Sequence, residues 1–199
     1  IIGAKHEYAL MRGMSAHYLG HTVESINHLS DYLVLPGAAP AQMRVAEEIL
    51  LDYANQYIDG EIKTFWVFST PGNGYRILED LAILASGVEL QAHAIARVAE
   101  DYFSNRRYEL AVPYYSMLLN PRFQSLGWED RASYRFAECR YMMLIPGKSD
   151  EQSILFALKS AQSYITAFPA GANRVDARAI ADDCVTKIAQ LHLTIAEYY

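Results

Sequence analysis

The chain is 199 residues long, enough for one substantial core or one quasi-linear array of about four or five helical repeats. With 52% apolar and 20% charged residues, no stretch reads as disordered. A net charge of −6 and a sequence pI near 5.5 argue against nucleic acid as the main partner. The longest apolar stretch, 77–88, is interrupted by Glu79 and Asp80 and is too short to cross a bilayer. The chain opens without Met and without a basic segment ahead of an apolar run. A mature or trimmed piece is therefore expected, its targeting signal out of view.

Residues 4–18 and 22–35 are expected to form a first helix pair, broken by Gly20 and closed by Pro36-Gly37. Ile26, Leu29 and Leu33 give the second of these an apolar face. Residues 40–59 follow as a helix with Val45, Ile49, Tyr53 and Tyr57 on one side. A loop is expected from Gly60 through Pro71-Gly72-Asn73-Gly74, then a helix over 75–86 carrying Ile77, Leu78, Leu81 and Leu84.

Residues 92–121 carry the most telling pattern. Ile95, Val98, Ala99 and Tyr102 share one helical face, Ser104-Asn105-Arg106 turns, and Ala111, Tyr115 and Leu118 form a second face before Asn120-Pro121. Bulky residues at 95, 98, 102 and 115, with small ones at 99 and 111, make the tetratricopeptide pattern. Residues 127–144 and 151–168 repeat the arrangement, Phe136-Ala137 matching Val98-Ala99, across the break Ile145-Pro146-Gly147-Lys148. The second of these carries Ile154, Leu158, Ala161, Ile165 and Phe168 on one face, with Ala157 and Ala161 keeping it close.

A long helix over 173–199 closes the chain, with Asn173 as N-cap and Ile180, Cys184, Ile188, Leu191, Ile195 and Tyr198 in register. Breaks fall at Pro36, Gly87, Pro121 and Pro169, and the Gly87–Pro121 interval matches the tetratricopeptide period of about 34 residues. The expected fold is all-α: one domain, 1–199, a tetratricopeptide-like right-handed α-solenoid of about nine helices.

From residue 53 onward the sequence resembles the outer-membrane assembly lipoprotein family known as BamD or YfiO. The resemblance rests on YANQYIDGEIKTFW at 53–66 with GYRILEDLAILA at 74–85, and on VAEDYFSNRRYELAVPYYSMLL at 98–119. Its most specific part is 161–199, a helix ending in Phe168-Pro169 and a long helix finishing Ile195-Ala196-Glu197-Tyr198-Tyr199. The resemblance implies a periplasm-facing lipoprotein of the outer membrane. Such a protein binds unfolded outer-membrane proteins, docks on the POTRA domains of the barrel insertase and joins other assembly subunits. Three departures stand out: no lipobox cysteine is present, the first pair is atypical, and Arg140 stands where such units often carry an aromatic.

Little in the chain points to chemistry. His17, His21 and His28 lack a carboxylate placed to complete a metal site, and the six histidines read as scattered surface or groove residues. The acidic doublets Glu47-Glu48, Glu79-Asp80, Glu100-Asp101, Glu129-Asp130 and Asp182-Asp183 recur along the helices, as solvated faces do. Cys139 and Cys184 read as small buried hydrophobes. No nucleophile elbow or phosphate-binding loop is present, so no enzyme activity, metal or cofactor is expected.

Two groups suggest a protein partner. Lys63, Phe65, Trp66 and Phe68 concentrate aromatics in a loop, either to cover an edge or to dock a partner. Tyr108 and Tyr114 lie off the packed face and are placed to line a groove for extended peptide, with Arg106, Arg107 and Arg140 supplying carboxylate contacts. The expected function is a non-enzymatic scaffold of outer-membrane protein assembly, with membrane contact only through a lipid anchor outside this chain. The alternative is a tetratricopeptide adaptor of another cell-envelope or secretion complex. A regulatory or metal-responsive enzyme subunit is a third reading, which chelator-sensitive metal would favour.

Overall fold

The computed structural model describes residues 2–35, 37–64, 68–145 and 149–198. In chain order the helices are α1 (Ile2–Tyr18), α2 (Thr22–Val34), α3 (Pro40–Ile58), α4 (Pro71–Leu84), α5 (Val88–Ser104) and α6 (Tyr108–Leu118). A 3₁₀ segment, Pro121–Leu126, leads into α7 (Glu129–Met142), α8 (Glu151–Ala167) and α9 (Arg174–Tyr198). Among the described residues the strand content is one two-residue antiparallel pairing, β1 (Lys63–Thr64) with β2 (Phe68–Ser69).

The chain divides into two compact units, Ile1–Val98 and Ala99–Tyr199. Within the first, α1 packs on α2, α2 on α3 and α3 on α4; within the second, α6 packs on α7, α7 on α8 and α8 on α9. Helices packed on their neighbours in chain order are the arrangement of an α-solenoid.

Small residues decide how closely the helices of the first unit approach. At Gly13 of α1, an added Cβ would sit 2.6 Å from the Leu29 side chain of α2, and Ser25 Oγ donates to Gly13 O at 2.9 Å. At Gly74 of α4, a Cβ would meet the Ala54 carbonyl of α3 at 2.6 Å. The expected face of α3 is correspondingly shifted. Ala46, Glu47, Leu50, Tyr53, Ala54 and Tyr57 are buried, whereas Val45 is 40% exposed and Ile49 half-buried. The crossing belongs to the alanines rather than to the larger β-branched residues, because only a short side chain lets the backbones approach.

The expected loop over 60–74 is also shorter than its composition suggests. Pro71 occupies the first turn of α4, where its missing N–H costs no hydrogen bond, so the Pro-Gly-Asn-Gly run starts a helix. Leu84 of that helix is half-buried, and Ala82 and Ala85 take the interior instead. α5 likewise starts four residues earlier than expected, Gln91 N donating to Gly87 O at 3.1 Å.

In the second unit, Ala99, Tyr102, Ala111, Tyr115 and Leu118 are buried as the spacing requires. Phe123 anchors the 3₁₀ segment, where the sequence pointed only to a break. The core around α7, α8 and α9 contains Tyr134, Ala137, Ile154, Ala157, Ala161, Tyr164, Ala177, Ile180, Ala181 and Cys184. Of the α8 face expected, Leu158, Ile165 and Phe168 are only partly buried, and Tyr164 fills the centre. Asn173 takes the N-cap position of α9, its carbonyl accepting from Ala177 N at 2.9 Å.

The expected α9 stripe leaves the core towards its end. Ile188 and Leu191 are half-buried, Ile195 is 49% exposed, and the Tyr198 ring lies outside the described residues. α8 begins at Glu151, whose carboxylate meets His192 Nε2 at 3.0 Å, so α9 outruns the helix that covers it.

Four of the acidic doublets are not simply solvated. Glu47, 2% exposed, accepts from Ser86 N at 2.6 Å and from Ser86 Oγ at 3.1 Å. Asp130 accepts from Tyr164 Oη at 2.7 Å, Asp183 from Tyr141 Oη at 2.9 Å, and Glu100 pairs with Arg131 at 3.0 Å. In each doublet one carboxylate is a tie between elements, a role that spacing along one helix does not reveal. The histidine reading needs a similar correction at His6, which is buried with its ring 5.8 Å from that of Tyr32.

Candidate partner-binding surfaces

In the second unit the α5–α6 corner brings Arg106, Arg107 and Tyr108 together. α5 ends in a paired C-cap: Arg106 N donates to Phe103 O at 2.9 Å and Arg107 N to Tyr102 O at 2.8 Å. The same two bonds close α1, through Gly20 and His21, and α3, through Gly60 and Glu61. All three turns require a left-handed residue, and two of them use glycine, with φ of +74° and +77°. The third holds Arg106 at φ +58°, a conformation that costs a residue with a Cβ about 1–2 kcal/mol.

The result is an exposed basic corner on a rigid aromatic base. Arg107 lies over the Tyr102 ring at 5.1 Å, Tyr102 packs against Tyr114 at 5.7 Å, and Phe103 meets Tyr108 edge-on at 5.5 Å. Arg106, Arg107 and Tyr108, with Glu109, Leu110 and Met143, line a shallow concavity of about 310 Å³. Tyr114 is half-buried, so it supports this corner more than it faces outward.

Arg140 does not share the corner's stacking. Its guanidinium lies 5.2 Å over Phe136 and 6.0 Å from the Phe156 ring, between α7 and α8. An arginine thus lies over two phenyl rings, at the position where the sequence departs from the expected aromatic.

Sequence reasoning missed the ion network beneath the corner. Arg135 stacks over Phe103 at 4.2 Å and binds Glu138 at 2.6 Å, beside the Arg131–Glu100 pair. The i, i+4 spacing of Arg131 and Arg135, with Glu138 three residues on, was the available signal. Burial works against the Arg135 charge, but the Glu138 hydrogen bond and charge outweigh it and raise its pKa. Burial, with Glu100 adding to it, drives the Tyr115 hydroxyl well above its ordinary value. Burial likewise pushes Tyr134 up to about 12, and the Cys139 and Cys184 thiols up to about 12 and about 11. All of these groups keep their protons at neutral pH, and both cysteines are free and buried.

In the first unit, Lys63 is exposed at the foot of the β1–β2 pairing, opposite Ser69. With Val23, Asn27, Tyr57 and Ile62 it lines an open trough of about 580 Å³ beside the α1–α2 turn. Phe65 and Trp66 lie outside the described residues, as does the side chain of Phe68. His17 Nδ1 meets Tyr53 Oη at 2.8 Å and His21 meets Glu24 at 3.3 Å, so the neighbouring histidines have protein partners. Among the described residues no three His, Cys, Asp or Glu side chains are grouped to hold a metal, and no helix is long and apolar enough to cross a membrane. No protein-family model, curated protein or solved structure matches the chain.

Proposed function

We propose that the protein is a non-enzymatic, tetratricopeptide-type scaffold of outer-membrane protein assembly. It binds extended client segments at the α5–α6 corner and docks on the barrel insertase through its C-terminal helices. The observation that carries the binding role is Arg106. An arginine occupies a left-handed turn where two matching turns of the same chain use glycine. Strain kept at an exposed position is a mark of use rather than of folding.

The tetratricopeptide assignment is supported by Ala99 and Ala111, both wholly buried among Tyr102, Tyr115 and Leu118. The outer-membrane setting is supported by the resemblance over 53–85, 98–119 and 161–199, and it implies a periplasmic location and a lipid anchor. Arg106 and Arg107 would hold carboxylates by paired hydrogen bonds, while Leu110 and Met143 accept an apolar neighbour.

Crosslinked envelope membranes supply the test of setting. Recovery of a barrel insertase with the tagged protein is expected, and recovery of soluble cytosolic partners alone would refute the assignment. For the corner, anisotropy with labelled extended peptides should show Kd rising about tenfold in an Arg106→Gly, Arg107→Ala variant. Unchanged affinity in that variant would remove the corner from binding.

A further inference from the structure

α6 carries a proline in its interior. Pro113 is the sixth of the eleven residues of Tyr108–Leu118, and the helix runs through it. A proline there has no N–H, so the Glu109 carbonyl, four residues earlier, loses the donor that an α-helix provides. Proline is also the least favourable residue within a helix. Ala111, Tyr115 and Leu118 form the buried face of α6, whereas Glu109 and Pro113 are exposed and lie on the opposite side. The Pro113 ring therefore fills no core, and the carbonyl it frees lies on the solvent side.

Glu109 belongs to the concavity of the α5–α6 corner, with Arg106, Arg107, Tyr108, Leu110 and Met143. Two costly backbone choices thus flank one shallow site: Arg106 at φ +58° and Pro113 within the helix. Both residues are exposed, so packing requires neither. Local rules broken twice at one place, with no gain in the core, are the pattern of a binding surface.

We propose that the Glu109 carbonyl accepts a backbone N–H from an extended segment whose acidic side chain rests on Arg106 and Arg107. The proposal rests on the client-binding reading of this corner and adds how the segment is held and which segments are chosen. Among the described residues no carboxylate pairs with either arginine, and Arg107 is already laid over the Tyr102 ring at 5.1 Å. Two guanidinium groups against the Glu109 carboxylate leave the concavity net positive, which favours an anionic side chain. An extended backbone offers N–H groups that no neighbour has taken, and the freed carbonyl is their complement. A helical partner has spent most of its N–H groups within its own turns. Leu110, 41% exposed, and Met143 give the adjoining side chain an apolar seat. The segment recognised is therefore extended, with Asp or Glu next to an apolar residue.

Anisotropy on the full chain, with a labelled decapeptide of alternating valine and serine carrying one central aspartate, tests the contact. Pro113→Ala returns an N–H to the Glu109 carbonyl. Its melting temperature should rise by several degrees while its Kd rises about fivefold. Stability and binding then move in opposite directions, which a merely structural proline would not produce. Replacing the peptide's amides by esters one at a time should weaken wild-type binding most at a single position near the aspartate. The same ester should matter much less to Pro113→Ala. Asparagine in place of the aspartate should weaken wild-type binding about tenfold and leave the Arg106→Gly, Arg107→Ala variant indifferent. If that arginine variant loses affinity while Pro113→Ala binds as the wild type does, the carbonyl contact is overturned and the corner stands. Unchanged binding by the arginine variant, or no wild-type binding up to about 1 mM peptide, would overturn both.

Discussion

The two units close their helix crossings by different means. In Ile1–Val98 two glycines, Gly13 under Leu29 and Gly74 under Ala54, join buried alanines such as Ala46 and Ala54 at the closest contacts, with the buried Glu47 carboxylate holding Ser86. In Ala99–Tyr199 they are alanines, at 99, 111, 137, 157, 161, 177 and 181, and the ties are tyrosine hydroxyls on partly exposed carboxylates. Glycine gives the closest approach but costs about 0.5–1 kcal/mol of backbone entropy within a helix. Alanine avoids that cost and leaves slightly more room, which tyrosine rings fill. The first unit should therefore fail at single points, and the second should lose stability in smaller steps.

The largest effect is expected at Glu47. Glu47→Ala removes two charge-assisted hydrogen bonds to Ser86 and empties the space of a buried side chain, and should cost about 3 kcal/mol in urea unfolding, whereas Glu48→Ala, from the same doublet but exposed, should change stability by less than about 0.5 kcal/mol. Equal effects would show that the carboxylate is no tie.

Gly74→Ala comes next, at about 2 kcal/mol, since the new methyl collides with backbone that cannot swing away. Gly72→Ala, with nothing within 4 Å, should be neutral or stabilise by a few tenths of a kcal/mol. A neutral Gly74→Ala in thermal melts would erase the contrast between the units.

Tyr164→Phe in the second unit should cost only about 1 kcal/mol, although it removes the bonds to Asp130 and from Asn173 N. The smallest effect is a pH dependence at Asp183. Lys187 and then Tyr141 hold this carboxyl below its ordinary value of 3.8, against the effect of burial. A carboxyl depressed in the folded state stabilises fully above its unfolded value and ceases to as pH falls through its folded one. The pair is substantially exposed, so Asp183→Asn should cost less than about 1 kcal/mol at pH 7, and the difference should shrink as the pH falls below the ordinary value of 3.8. A difference that persists at low pH would place the stabilisation elsewhere.

The corner was only partly legible in the sequence. Arg106, Arg107 and Tyr108 stand at a turn that spacing locates, the two arginines exposed and Tyr108 half-buried. Nothing in the residue letters announces that Arg106 adopts the conformation Gly20 and Gly60 adopt, because that follows from the hydrogen bonds closing α5. Arg140 was grouped with the corner by charge, but its stacking on Phe156 joins residues from successive helices. Glu47 and Glu48 are identical letters side by side, and only the position of Ser86 separates them.

Local order was determined by the sequence alone. Apolar residues recurring at helical spacing, punctuated by Gly20, Gly60 and the Asn120-Pro121 stop, are enough to make consecutive helices, since period and backbone freedom are properties of short stretches. Tertiary structure decided which side of each helix is interior, as the outward position of Val45 on α3 and the emergence of α9 from its cover show. It also decided which polar groups are ties, because burial and partnership depend on what a distant segment places opposite.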